Sequence, residues 1–376
     1  MSSKIIGSAL LIAGTCIGAV MLVMPLTLLP LGSYGVFGLL FVSAGLMYYS
    51  GVLIFNLLQA FPKGTDLAGM ATKVFGKWAG ILVDLLFTLL LYCLLSMYLT
   101  GATSLITESG VWHNLGIGFW ALFGLLFLVF GMRVQDLLNR WLMLFLVLSY
   151  LVFVGSASNY VTTGNLLGVP FTGFWPSLAV IATAFGYHVI IPSLRDYLGS
   201  EIKYYPKALM LGLLLPLVLY LVWCFSLYGL LPYSGKLGLL HLSGVKNSFF
   251  HISDYLVQIL HNKLIPISLI LFMFTSIISS YVGIAISLMQ AVSSKCSYHR
   301  FIKALIVIAP PALFAVLVPG GFLIALHYAA IIVAVISLIL PALMTIKARQ
   351  CQTFKTKIGV IIILIYGAAV IYSSLL

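Results

Sequence analysis

Long apolar runs separated by short polar connections set the pattern of this chain from end to end. Eleven runs can be drawn, at about 5–30, 34–60, 79–106, 117–132, 140–161, 174–194, 207–231, 264–291, 302–318, 322–346 and 358–375. Each comes near the length a helix needs to cross roughly 30 Å of hydrocarbon. The longer ones predict tilted or interrupted helices. Two connections carry patterns of their own. Residues 62–77, PKGTDLAGMATKVFGK, contain a Thr65–Asp66 helix start and predict a short helix on the membrane surface. Residues 232–263 predict a second short helical stretch, around 248–261.

Composition sharpens the picture into a class. Of 376 residues, 62% are hydrophobic and only 7% charged, with mean hydropathy +1.19. No soluble domain buries that much apolar surface, so the chain is all-α, polytopic and embedded in a bilayer. Water-soluble enzymes are excluded. The first run is too long for a signal peptide and further spans follow it. Cys16, Cys93, Cys224, Cys296 and Cys351 show neither metal nor redox spacing, and no disulfide framework is expected.

The net charge of +12 sits in short loops and does not point to nucleic acid. With Lys4 placed inside, the even-numbered connections also fall inside. They hold Lys63, Lys73, Lys77, Arg133, Arg140, Arg195, Lys203, Lys207, Lys295, Arg300, Lys303, Lys347, Arg349, Lys355 and Lys357. Together with Lys4 these are 16 of the 19 basic residues; Lys236, Lys246 and Lys263 share one long outer loop. The positive-inside rule then predicts a cytoplasmic N-terminus, an outer C-terminus and an odd number of spans.

Two spans carry interruptions. The first contains AGTCIGAVMLVMP (13–25), with Gly14, Thr15, Cys16 and Gly18 near its middle and Pro25 beyond. The sixth contains SLAVIATAFGYHVIIPSLRDYLG (177–199), with Thr183, Ala184 and Gly186 central and His188 and Pro192 following. Backbone that leaves the helix at membrane depth is tolerated only against protein or a watery cavity. Breaks five spans apart in helices of opposite direction are the mark of an inverted repeat. Helices 1–5 (about 5–161) then form one repeat, helices 6–10 (about 174–346) the other, and helix 11 (about 358–375) is appended, all within one transporter domain. Half-helix N-termini suit a carboxylate, and half-helix C-termini and free carbonyls suit an ammonium or a cation. A zwitterionic amino acid matches both. The competing reading of Gly14 and Gly18 is a small-residue helix contact.

AGTCIGAVMLVMP and TAFGYHVIIPS, with LNR at 138–140 and PGGF at 319–322, resemble the bacterial hydroxy/aromatic amino acid permeases. That group, tyrosine and tryptophan permeases among it, belongs to the amino acid–polyamine–organocation superfamily. The resemblance runs through nearly the whole chain. It implies a leucine-transporter-like fold of eleven spans in the bacterial inner membrane, able to work as a monomer. It also implies import of tyrosine, tryptophan or phenylalanine, driven by a cation gradient, usually protons. No cofactor is expected beyond the coupling ion, proton or sodium.

On that resemblance Gly14, Thr15, Cys16, Ile17 and Gly18 face the substrate from helix 1, and Thr183, Ala184, Phe185 and Gly186 from helix 6. Phe185 and Tyr187 shape the side-chain pocket or simply pack. His188 is ionisable at membrane depth, which argues for function; it either relays a proton or caps a carbonyl freed by the break. On helix 3, Tyr92 and Ser96 share a face, and Tyr92 is expected to touch the substrate. Glu108 and His113 are expected to be solvated at the outer mouth. Asp84 either pairs with a basic residue such as Lys77 or carries a proton. Ser279 and Ser280 on helix 8, with carbonyls near Ala13 and Cys16, sit where this fold holds sodium; helix–helix hydrogen bonding is the alternative. Helix 5 reads WLMLFLVLSYLVFV and lacks the lysine that many proton-coupled relatives carry there.

Three rivals remain at this stage. A sodium-coupled transporter of broader neutral amino acids would accept alanine and serine. A sensor would add a signalling domain. A membrane enzyme would need a catalytic cluster, whereas the two deep ionisable groups, Asp84 and His188, stand on different helices.

Overall fold

A computed structural model describes residues 3–105, 110–130, 132–244, 251–259, 262–348 and 353–376. The described residues are helices and connections. Among the described residues ten helices are long and apolar enough to cross a membrane, and the bent pair at the N-terminus, taken as one span, makes eleven. Span 1 is Ser3–Cys16 plus Val20–Thr27, bent by 59° between them. Spans 2 to 5 are Gly32–Leu58, Lys77–Ser104, Gly110–Val129 and Met132–Ala157. Span 6 comprises Trp175–Ala184 and Ile191–Leu198. Spans 7 to 11 are Tyr205–Leu230, Leu264–Lys295, Arg300–Leu317, Phe322–Lys347 and Phe354–Leu375.

The packing partners recur at an offset of five. Span 3 lies on span 10 as span 8 lies on span 5. Span 1 lies on span 7 as span 6 lies on span 2, and spans 4 and 9 pack on each other. The pairing of the first five spans thus reappears among the next five. Span 6 is the central element: 78% of its membrane stretch is buried, against 28% for spans 5 and 9 at the rim.

The short helices follow local chemistry. Leu67–Phe75 starts where the Asp66 carboxylate accepts the Gly69 N–H at 2.7 Å, a side-chain N-cap. The outer loop carries Leu239–Ser243 and Ile252–Ile259; the rest of the stretch expected at 248–261 lies outside the described residues. Span 4 begins at Gly110, earlier than its apolar run, and His113 is buried at 2% exposure rather than solvated. The helix takes in the polar WHN stretch and turns His113 toward the protein. Glu108 lies outside the described residues.

Two arginines, Arg195 and Arg300, close helix ends as well as marking a face. Arg195, 5% exposed, donates to the carbonyls of Leu58 (2.9 Å), Phe61 and Pro62 just past span 2. Arg300 donates to Leu128 (2.8 Å) and Phe130 (2.5 Å) at the end of span 4. The last carbonyls of a helix have no partner within it and carry partial negative charge, so a guanidinium satisfies both needs.

Candidate functional site

The two breaks lie opposite one another. In span 1 the helix opens at Ile17–Ala19. The Ile17 N–H still reaches the Ala13 carbonyl at 2.8 Å, and the chain resumes as Met21 and Leu22 donate to Gly18 and Ala19. Small residues allow this close approach. A Cβ placed on Gly18 would stand 2.9 Å from the Ser280 hydroxyl of span 8, and that hydroxyl accepts the Ala19 N–H at 3.2 Å. The Tyr98 hydroxyl of span 3 would stand 3.9 Å from the same Cβ.

In span 6 the helix stops at Ala184, opens through Phe185–Tyr187 and re-forms through a tight turn at His188–Ile190. Pro192 stands in the first turn of the second half-helix, where its missing N–H costs nothing. Phe185, Tyr187 and His188 are all fully buried. The Tyr187 hydroxyl donates to the Met47 carbonyl of span 2 at 2.9 Å. This needs Gly51, where a Cβ would fall 2.0 Å from the Tyr187 oxygen. His188 stacks on Tyr187 at 4.3 Å, and its ring nitrogens make no hydrogen bond of normal geometry among the described residues.

The breaks meet at Tyr220 of span 7. Its fully buried hydroxyl lies 2.6 Å from the Cys16 carbonyl and 3.0 Å from the Ala184 carbonyl. These carbonyls end the first halves of spans 1 and 6. Two negative helix ends from opposite faces therefore converge on one phenol. The Phe185 ring packs edge-on against Tyr220 at 5.4 Å.

The sequence-predicted residues divide accordingly. Cys16, Ile17, Gly18, Ala184, Phe185, Gly186, Tyr187 and His188 lie at or beside the breaks. Gly14 and Thr15 lie on the exposed side of the first half-helix, with Leu10 and Leu11. Thr183 turns its hydroxyl back to the Ala179 carbonyl, and Ser96 turns back to Tyr92. Tyr92 itself donates to the Ile306 carbonyl of span 9 at 2.9 Å. Span 3 instead brings Tyr98 to the first break. Asp84 pairs with Lys295 of span 8 at 2.7 Å, not with Lys77; folding brings the end of span 8 across its side chain. The oxygens expected to suit sodium each take part in one hydrogen bond within the protein. Ala13 accepts from Ile17, Cys16 from Tyr220 and Ser280 from Ala19, while Ser279 donates to Ser276. Sequence reasoning missed Tyr220 and, of the helix 3 tyrosines Tyr92 and Tyr98, chose Tyr92. Their one signal was a tyrosine within an apolar run, and the chain has twenty tyrosines.

Clefts flank this packed centre. One, of about 590 Å³, opens among spans 2, 6 and 7 on the face holding Lys63, Arg195 and Lys203. Another, of about 350 Å³, lies among Thr27, Tyr233 and His327 on the other face.

An all-helical bundle of eleven spans, two of them broken opposite each other, defines an integral membrane transporter. Residues 1–373 match the tryptophan/tyrosine permease family, and the chain belongs to that family. It is 32% identical to Tyrosine-specific transport system 2 of Haemophilus influenzae, over 93% of this chain and 89% of that one. It is 28% identical to Tyrosine-specific transport system 1 of the same organism, over 98% and 96% of the two chains. Glutamine transporter 2 of Aliivibrio fischeri is also 28% identical, over 94% and 91%. The family and these relatives are transporters, and this chain is a permease rather than an enzyme.

Proposed function

We propose that this permease imports an aromatic amino acid, tyrosine or tryptophan foremost and phenylalanine next, by proton-coupled alternating access. The convergence of the Cys16 and Ala184 carbonyl ends supports this reading above all. Two negative helix ends suit the substrate ammonium, and the N–H groups opening the second half-helices suit its carboxylate. Phe185, Tyr98 and Tyr187 surround the spot with aromatic surface, which suits an aromatic side chain. The names of the relatives support the same cargo. His188 is the group we assign to the coupling proton, being ionisable, buried and without a normal hydrogen bond.

The positive-inside pattern supports a bacterial inner-membrane placement with the N-terminus in the cytoplasm and the C-terminus in the periplasm. Each subunit holds both breaks, which supports function as a monomer. A second reading is a sodium-coupled carrier of a broader range of neutral amino acids; the similarity to Glutamine transporter 2 favours the broader range.

Uptake of radiolabelled tyrosine, tryptophan, phenylalanine and glutamine into proteoliposomes, under separate proton and sodium gradients, tests both. Aromatic uptake under a proton gradient alone is the expected result. Glutamine uptake under sodium alone would establish the second reading, and no aromatic uptake under either gradient would overturn the first.

A further inference from the structure

Two acceptors compete for one proton at the centre of this molecule. The Cys16 and Ala184 carbonyls both lie within hydrogen-bond distance of the Tyr220 hydroxyl. A phenol has a single O–H to give. It can serve one carbonyl fully or share weakly between the two. The site is closed to solvent at Tyr220, and a buried carbonyl that is only half satisfied is costly. Both carbonyls also end half-helices, whose partial negative charge favours a cation over a neutral donor. The described structure thus holds a neutral group where positive charge is best stabilised.

From this we infer that Tyr220 stands in for the substrate ammonium in the empty carrier, and that the incoming ammonium displaces its hydroxyl from the two carbonyls. An ammonium carries three N–H donors and a full charge. It can satisfy Cys16 and Ala184 together, and the displaced Tyr220 hydroxyl makes no bond to it. The hydroxyl then has two tasks. It keeps the breaks closed on each other when no substrate is present, and it sets how much of the ammonium's binding energy remains as affinity. Tyr220 is a positioning residue in this scheme. The inference rests on the reading that the cargo is an amino acid, whatever its side chain.

Tyr220→Phe removes the competitor and keeps the ring that packs on Phe185. The variant is expected to bind tyrosine or tryptophan about fivefold more tightly, the worth of roughly one hydrogen bond. Exchange of internal for external substrate should persist, while net uptake falls because only the empty carrier needs the hydroxyl to close its breaks. The deaminated acid 3-(4-hydroxyphenyl)propionate should bind wild type and variant equally. Tyr366→Phe removes a hydroxyl from Ser43, between spans 11 and 2, and should leave affinity unchanged. Unchanged or weaker amino acid affinity in Tyr220→Phe would overturn the inference, the weaker result making Tyr220 an ordinary substrate ligand.

Glutamine is run beside the aromatic probes. If wild type binds glutamine and no aromatic amino acid, the aromatic reading fails and the Tyr220 comparison proceeds with glutamine. Should phenylalanine at position 220 prevent folding, 3-fluorotyrosine placed there keeps the hydroxyl and reports by fluorine resonance. Amino acids should shift that signal and the deaminated acid should not; a shift from both, or from neither, would overturn the inference.

Discussion

The breaks in spans 1 and 6 perform one geometric task with different materials. At Ile17–Ala19 the chain opens on one large side chain and two small residues, bends by 59° and rests on Ser280. At Phe185–Tyr187 it opens among large side chains that are wholly buried and tied to span 2 through Met47. Both deliver a half-helix carbonyl to Tyr220. Apart from Ile17, the first break offers a ligand chiefly backbone, which every amino acid can use. The second offers the same backbone plus aromatic surface. Under the proposed function, general amino acid recognition comes from span 1 and side-chain preference from span 6.

Substitutions at the two breaks can separate these contributions. The largest effect is expected from Gly18→Val. The added branches meet the Ser280 hydroxyl and push the first break off span 8. Uptake of every amino acid carried should fall by roughly 100-fold, the scale of a misplacement near 1 Å, with the protein still eluting as a folded species. Normal uptake would remove span 1 from the site.

Next comes Phe185→Ala, which empties space at the second break. Competition assays should show tyrosine and tryptophan weakened about tenfold or more while a small neutral amino acid changes little, since burial of an aromatic ring is worth about 1.5–3 kcal/mol. Equal losses for all amino acids would erase the proposed division of labour.

Gly51→Ala should be smaller and structural. Its Cβ displaces the Tyr187 hydroxyl from the Met47 carbonyl, at about 1–3 kcal/mol. Tyr187→Phe takes away the clashing oxygen, so the double variant should recover part of the loss in thermal stability. Strict additivity would show that the two positions do not couple.

The smallest effect belongs to Asp84→Asn. Its partnership with Lys295 has both side chains substantially exposed, at 47% and 40%. Such a pair is worth about 0–1 kcal/mol, and proteoliposome uptake should stay within about twofold of wild type. A loss of proton-driven uptake alone would move the coupling role from His188 to Asp84.

The described spans were legible because lipid imposes them. A chain that crosses hydrocarbon must satisfy its own backbone, so each apolar run becomes a helix wherever it packs. The breaks were legible for a related reason. Gly-Thr-Cys-Ile-Gly and Thr-Ala-Phe-Gly are poor material for an uninterrupted helix, and their spacing in opposite directions suggested the repeat. Side-chain partnerships were another matter. Tyr92 looked like a pocket residue until span 9 placed Ile306 against it. Asp84 looked like a partner for its near neighbour until span 8 brought Lys295 closer. The Val335–Ile339 segment of span 10, which winds as a π-turn and whose Ser337 carbonyl accepts from Ser50, leaves no mark in an apolar run.

By itself the sequence determined the bilayer setting, the helical class, the approximate spans and the two places where backbone leaves the helix. All of these follow from composition and local spacing acting through the solvent. Only the tertiary structure decided that both broken ends meet on Tyr220, that Tyr98 rather than Tyr92 reaches the first break, and that His113 is buried. Those outcomes depend on which faces of distant helices pack together, and in a uniformly apolar span the side-chain pattern hardly marks one face from another.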